Sequence, residues 1–127
     1  MPASESGAVT QKENRTMLNL ESLSVLKGVV AAIRFYDDGT LAEAAGQLDQ
    51  LDTQLAAELC HANGRITHHN SDILMTLSGT QGWPPRGWMM MGDELSICAV
   101  AEVACFVRNR EASFNDVFRS LTALSQK

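Results

Sequence analysis

The 127-residue sequence predicts an α+β domain in the order helix, hairpin, long helix, three-stranded meander, helix. Three observations carry that expectation. The run Ile33-Arg34-Phe35-Tyr36-Asp37-Asp38-Gly39-Thr40-Leu41 reads as a strand, a tight Asp-Gly turn and a returning strand, set between two helical segments. From Leu48 onward apolar residues recur at helical spacing over a long stretch. After a Gly- and Pro-rich segment, three apolar runs follow with only turn-sized gaps, and a capped amphipathic segment comes last.

Composition agrees with one globular domain. The chain is 45% hydrophobic and 20% charged, ordinary values for a globular protein with a single core. A formal net charge of -5 argues against a nucleic-acid surface, which needs clustered Lys and Arg. No apolar window reaches the roughly 18 residues of a membrane-spanning helix. Residues 1–16 hold no apolar run, so they are expected to form a disordered tail without the core of a secretory signal, leaving one domain over residues 17–127. Three cysteines, Cys60, Cys98 and Cys105, form no CxxC pair and are expected to be reduced thiols of a cytoplasmic protein.

Each element has its own signal. Asn19 is an N-cap for a helix of about eight residues whose Leu20, Leu23 and Leu26 share a face, with Lys27 and Gly28 at its end. A helix that short must dock its leucines to persist. Val29 to Tyr36 is nearly continuous in apolar character and suits a strand covered on both faces, with Val29, Ala31, Ile33 and Phe35 on one of them. A type I′ turn at Asp38-Gly39 would set Arg34 opposite Glu43 and Tyr36 opposite Leu41. Gly46 ends the hairpin.

The helical stripe runs Leu48, Leu51, Leu55, Leu59, Ala62, Ile66, Ile73 and Leu77, with Gly79 as C-cap. A helix of about 30 residues would be roughly 45 Å long, more than a domain of this size can cover by itself. Gly64, and His69 or Asn70 on the stripe, are weak points in its middle. Either the helix kinks near them or its far half packs against a partner, and one long helix with a partner is the favoured expectation. Residues 79–87 (GTQGWPPRG) form a loop, Trp88 to Met91 a strand, and Gly92-Asp93 a turn into Leu95 to Val100. A tip at Ala101-Glu102 would place Cys98 opposite Cys105, although that dipeptide is poor for a primed turn. Ser113, with Asp116 three residues on, caps a last helix whose stripe is Phe114, Val117, Phe118, Leu121 and Leu124.

Several stretches resemble a known family. LKGVVAAIRFYDDG (Leu26 to Gly39), LCHAN (Leu59 to Asn63), SGTQGWPPRGWMMMGD (Ser78 to Asp93) and FNDVF (Phe114 to Phe118) are similar to a small bacterial group within the roadblock / dynein light chain superfamily, a relative of profilin-like folds. The resemblance covers Met17 to Leu124. It implies an α-β-β-α-β-β-β-α domain with a five-stranded antiparallel sheet in the order 2-1-5-4-3 between helix layers. It also implies a homodimer, in which third strands pair edge to edge and long helices lie together. The interface residues would be Trp88, Met89, Met90 and Met91 with Leu55, Leu59, Ala62, Ile66 and Ile73. Members of the superfamily serve as scaffolds or regulators, several of them on small Ras-like GTPases, so a protein partner is implied and no cofactor.

No catalytic constellation competes with that reading. His61 and His68 are two helical turns apart, roughly 10.5 Å, too far for one ion. His61 with Arg65, and His68 with Asp72, read more simply as helix-surface pairs. Cys60 reads as a small core residue. No GxxxxGK[ST] or GxGxxG motif occurs, and the Gly79-Thr80-Gln81-Gly82 run lacks the basic flanks of an RNA clamp. Trp83, Pro84, Pro85 and Arg86 form the expected partner-binding loop, because aromatics and Arg are enriched at interfaces. The leading expectation is a non-enzymatic, cytoplasmic, homodimeric adaptor or regulator. The alternatives are an accessory subunit of a sulfur-metabolic redox complex, a setting with which the narrower group is associated, or a profilin-like small-molecule sensor.

Overall fold

The computed structural model describes residues 19–79 and 86–125. Helix α1 (Leu20–Ser24), strands β1 (Val29–Phe35) and β2 (Leu41–Gly46), helix α2 (Thr53–Ser78), strands β3 (Gly87–Met91), β4 (Leu95–Val100) and β5 (Val103–Arg108), and helix α3 (Phe114–Ser125) follow in chain order. The strands form one antiparallel sheet in the order β2-β1-β5-β4-β3, as the resemblance implies. The tail expected over residues 1–16 lies outside the described residues, as do Trp83, Pro84 and Pro85.

The sheet is covered on both faces. On one, Leu20 and Leu23 of α1 and Val117, Leu121 and Leu124 of α3 pack over Val29, Ala32, Cys98 and Cys105. On the other, Ala56, Ala57 and Cys60 of α2 pack over Ile33, Phe35, Ala104 and Phe106. Burial on both sides is why β1 reads as a continuous apolar run. A register shift between Val29 and Ala31 interrupts its strict alternation. Val29 therefore packs under α1 and α3 while Ile33 packs under α2, and the two do not share a face as the spacing predicts.

Local signals fare differently from element to element. The Asn19 side chain caps α1 by accepting from the Ser22 N–H at 3.1 Å, yet the helix is five residues, not eight. Leu26 lies beyond its end and still packs on the core. In the first hairpin Arg34 does oppose Glu43, with Nε to Oε2 at 3.8 Å. The turn itself is different. Gly39 N–H donates to the Tyr36 carbonyl at 3.0 Å, making Asp37 and Asp38 the central residues, and Gly39 alone is left-handed at φ 88°. That is a three-residue loop ending in a left-handed glycine, and the shift it introduces sets Phe35, not Tyr36, opposite Leu41.

The meander follows the expected register, with Cys98 opposite Cys105 and Ala101-Glu102 at the tip. Ala101 takes φ 54°, a left-handed conformation that an L side chain adopts at a cost of ~1–2 kcal/mol. The preceding turn is centred on Asp93-Glu94, one residue later than the sequence suggests, since Met91 opposes Ser96 and the Gly92 N–H donates to the Leu95 carbonyl. Asn109, just past β5, clamps this turn. Its amide donates to the carbonyls of Gly92 (2.9 Å) and Asp93 (3.1 Å), and its Oδ1 accepts from the buried Ser96 hydroxyl at 2.6 Å. Ser113 Oγ accepts from the Asp116 N–H at 3.3 Å, the expected cap of α3.

Candidate interaction surface on helix α2 and strand β3

Helix α2 is continuous through Gly64 and Asn70, 26 residues in all and roughly 39 Å long at 1.5 Å per residue. It starts later than the stripe suggests. Leu48–Gln50 form a single 3-10 turn, Leu51 is extended, and the Asp52 side chain caps the helix by accepting from the Leu55 N–H at 3.1 Å. At the other end Gly79 takes φ 68° as the expected left-handed cap.

The helix meets the sheet through its small residues. Ala57 and Cys60 are fully buried and Ala56 nearly so. Further along, Gly64 lies beside the Trp88 indole of β3, where a Cβ would stand 3.9 Å from Nε1. Small side chains let the helix axis sit close to the strands, so the large apolar residues are turned elsewhere. At about 100° per residue, Leu55, Leu59, Ala62, Ile66, Ile73 and Leu77 form a stripe roughly 155° around the helix from Ala57 and Cys60. The large members of the stripe are exposed, Leu55 by 60%, Ile66 by 56% and Leu77 by 78%. The stripe anticipated from the sequence therefore exists, but it is not the face that covers the sheet; Cys60 is core and lies off it.

Strand β3 is an edge of the five-stranded sheet. Trp88 and Met89 are half-buried on opposite faces, Trp88 against the α2 cluster and Met89 against the α1/α3 cluster. Met90 and Met91 are exposed by 42% and 66%. Arg86, at the foot of the strand, is exposed.

The opposite flank of α2 is polar. Gln54 accepts from the Leu41 N–H at 3.2 Å and donates to the Gly39 carbonyl at 3.4 Å, tying the helix to the first hairpin. Beyond it His61, Arg65 and His68 face Tyr36, Asp37 and Glu102 across an open cleft of about 700 Å³. His68 lines this cleft, and among the described residues no ion pair joins it to Asp72. The Thr40 hydroxyl and N–H both donate to Asp38 Oδ1, at 2.6 and 3.0 Å, and hold its carboxyl below the usual range. A hydrogen bond with the neighbouring Asp37 carboxyl, with burial adding, pushes Glu102 up. Among the described residues no group of three His, Cys, Asp or Glu is placed to hold a metal ion.

Burial pushes the thiols far from reactivity. Cys60 is raised to about 12, Cys98 to about 11, and Cys105 to about 12 with a further contribution from the adjacent Cys98. A thiol that stays protonated at neutral pH is a poor nucleophile. Among the described residues no helix is long and apolar enough to cross a membrane.

Residues 19–123 match the model of a family described as an uncharacterized conserved protein, DUF2173. The chain belongs to that family. No curated protein sequence matches it. Solved structures share its fold. The chain is similar to a Roadblock/LC7 domain from Streptomyces avermitilis, with a TM-score of 0.66 at 11% identity over 84% of this chain and 88% of that one. It is similar to the gliding protein MglB of Thermus thermophilus, with a TM-score of 0.68 at 12% identity over 90% of both chains. MglB of Myxococcus xanthus gives a TM-score of 0.60 at 19% identity over 77% of this chain and 78% of that one. At these identities the likeness is one of fold: this DUF2173 chain has the roadblock-type fold.

Sequence reasoning missed two features of that domain. One is Asn109, whose only signal was a lone amide side chain directly after a strand; the other is the set of clefts along the sheet ends, whose linings come from segments far apart in the chain.

Proposed function

We propose that this chain is a non-catalytic, cytoplasmic adaptor or regulator that acts as a homodimer and binds a protein partner, with small Ras-like GTPases as the partner class that best suits a roadblock-type domain. The observation that supports the reading is the pair of uncovered surfaces, the apolar stripe of α2 and the open edge of β3. From Leu55 to Leu77 the stripe extends for roughly 33 Å. Single-chain proteins rarely leave so long an apolar patch in water, and an open apolar strand edge invites pairing. In the dimer, two stripes pack against each other, and two β3 strands pair through Trp88 to Met91. Met90 lies at the seam, while Met89 stays with its own core. The Trp83–Arg86 loop is the surface left for the partner. High-pKa buried thiols and the lack of a nucleophile-base pair among the described residues favour the non-catalytic role.

Light scattering after size exclusion tests the dimer. Wild type is expected at twice the monomer mass, Met90→Asp and Ile66→Asp at the monomer mass, and Val25→Asp, exposed on a different face, unchanged. A monomeric wild type, or a mass that neither stripe nor strand variant alters, overturns the reading. Pull-down from host lysate with wild type and Ile66→Asp then tests the partner, recovery of a small GTPase by wild type being the expected result.

A further inference from the structure

Helix α2 begins at Thr53 and leaves one end of the sheet open on its own side. There a cleft of about 410 Å³ is floored by Val30, Leu51, Leu95 and Phe106. The irregularity at Val29–Ala31 is what releases Val30 from the alternation and lets it join this floor. Across β4 and β5, Leu95 opposes Arg108, so the Arg108 side chain stands on the same face as Leu95 and two residues from Phe106. Arg110 and Glu111 complete the rim from the turn after β5, and Glu94 from the β3–β4 turn. The two parts of the rim are fastened together, because the Asn109 N–H donates to the Glu94 carbonyl at 2.8 Å.

The charges on this rim are uncommitted. Among the described residues neither guanidinium forms an ion pair or side-chain hydrogen bond, and neither do the Glu94 and Glu111 carboxylates. A small apolar cavity with a few convergent polar groups, of a size between roughly 300 and 1,000 Å³, is the usual form of a ligand site. Here the polar groups come as two cations and two anions. A plain carboxylic acid would meet the arginines and leave two carboxylates facing its own. A plain amine would do the reverse. Both signs are answered only by a ligand carrying ammonium and carboxylate close together on an apolar body.

We propose that this cleft binds a free α-amino acid with a large aliphatic or aromatic side chain. The carboxylate is taken by Arg108 and Arg110, the ammonium by Glu94 and Glu111, and the side chain lies on Phe106, Leu95 and Leu51. Charge-assisted hydrogen bonds to a planar guanidinium supply most of the discrimination. Such a site is independent of the adaptor reading and gives that adaptor a small-molecule input.

Calorimetry and thermal unfolding of the full chain test it with five probes: L-leucine, L-phenylalanine, glycine, 4-methylpentanoate (leucine without its ammonium) and 3-methylbutylamine (leucine without its carboxylate). Leucine or phenylalanine is expected to bind and raise the melting temperature, with glycine and both half-molecules roughly ten-fold weaker or worse. Arg108→Gln should weaken the amino acid by roughly ten-fold or more, and Glu111→Gln should remove its advantage over 4-methylpentanoate. Both variants sit on the rim, and unchanged native fluorescence certifies their fold. Binding of 4-methylpentanoate as tight as that of leucine makes this an anion site and overturns the proposal. So does the absence of any shift at about 10 mM amino acid. Met90→Asp should bind like wild type; loss of binding in that variant would assign the cleft to the contact between copies and also overturn it.

Discussion

Replacing Asn109 with Ala removes one side chain and three hydrogen bonds at once. The three are not equal. The carbonyls of Gly92 and Asp93 belong to exposed turn residues, so water replaces the lost amide at a cost of about 0.5 kcal/mol each. Ser96 is different, because it is 1% exposed and its hydroxyl donates to Asn109. Stripped of that acceptor it is a buried donor with nowhere to go, which costs about 1–2 kcal/mol. The sum is about 2–3 kcal/mol, or roughly 8–12 °C in melting temperature at about 4 °C per kcal/mol for a domain of this size. Urea unfolding followed by Trp88 fluorescence measures it, since Trp88 sits on the strand this clamp holds in register. The decisive variant is the double one. Ser96→Ala removes the orphaned hydroxyl, so Ser96→Ala with Asn109→Ala should recover about 1 kcal/mol relative to Asn109→Ala alone. If the double variant is as unstable as the sum of the two single ones, the two side chains are not coupled and the account of the clamp is wrong.

Two further outcomes follow from the backbone and the thiols. Ala101→Gly removes left-handed strain worth ~1–2 kcal/mol while loosening the unfolded chain, so a net gain of about 0.5–1 kcal/mol is expected in chemical denaturation; a loss would mean that residue 101 is not left-handed. The raised thiols make stability fall in alkali. Folded, Cys98 ionises at about 11 and Cys60 and Cys105 at about 12, above an unfolded thiol, so their contribution is intact below about pH 8.5 and is lost as pH climbs towards those values. A pH titration of the urea midpoint, alongside a Cys60→Ala variant with a shallower alkaline decline, measures this; a decline of equal slope in both rules out Cys60 as a source.

The features legible in the sequence are those whose cause lies within a few residues. Asn19, Ser113 and Gly79 act on backbone groups of their own turn, so their roles as caps could be read directly. The order of elements was equally plain, because periods of two and of 3.6 belong to the backbone and not to its surroundings. The Cys98–Cys105 register came through because its turn is two residues long. Arg34 opposes Glu43 for another reason: an irregularity between Arg34 and Phe35 offsets the three-residue loop. The family resemblance added the strand order, which periodicity alone does not contain.

Other features depended on what each element met in space. The spacing of Leu55, Leu59 and Ile66 marks an apolar stripe, but it does not say that the sheet would take Ala56, Ala57 and Cys60 instead. Close approach of a helix to a sheet favours small side chains, and that selection exists only once both surfaces are formed. The first turn shows the same limit, since Asp38-Gly39 fits two loop types and the neighbouring ladder chose between them. The cleft between Val30, Leu51, Leu95 and Phe106 lies further still from the one-dimensional record. Its walls come from four separate segments, and only packing, which is set by shape and not by sequence distance, brings them together.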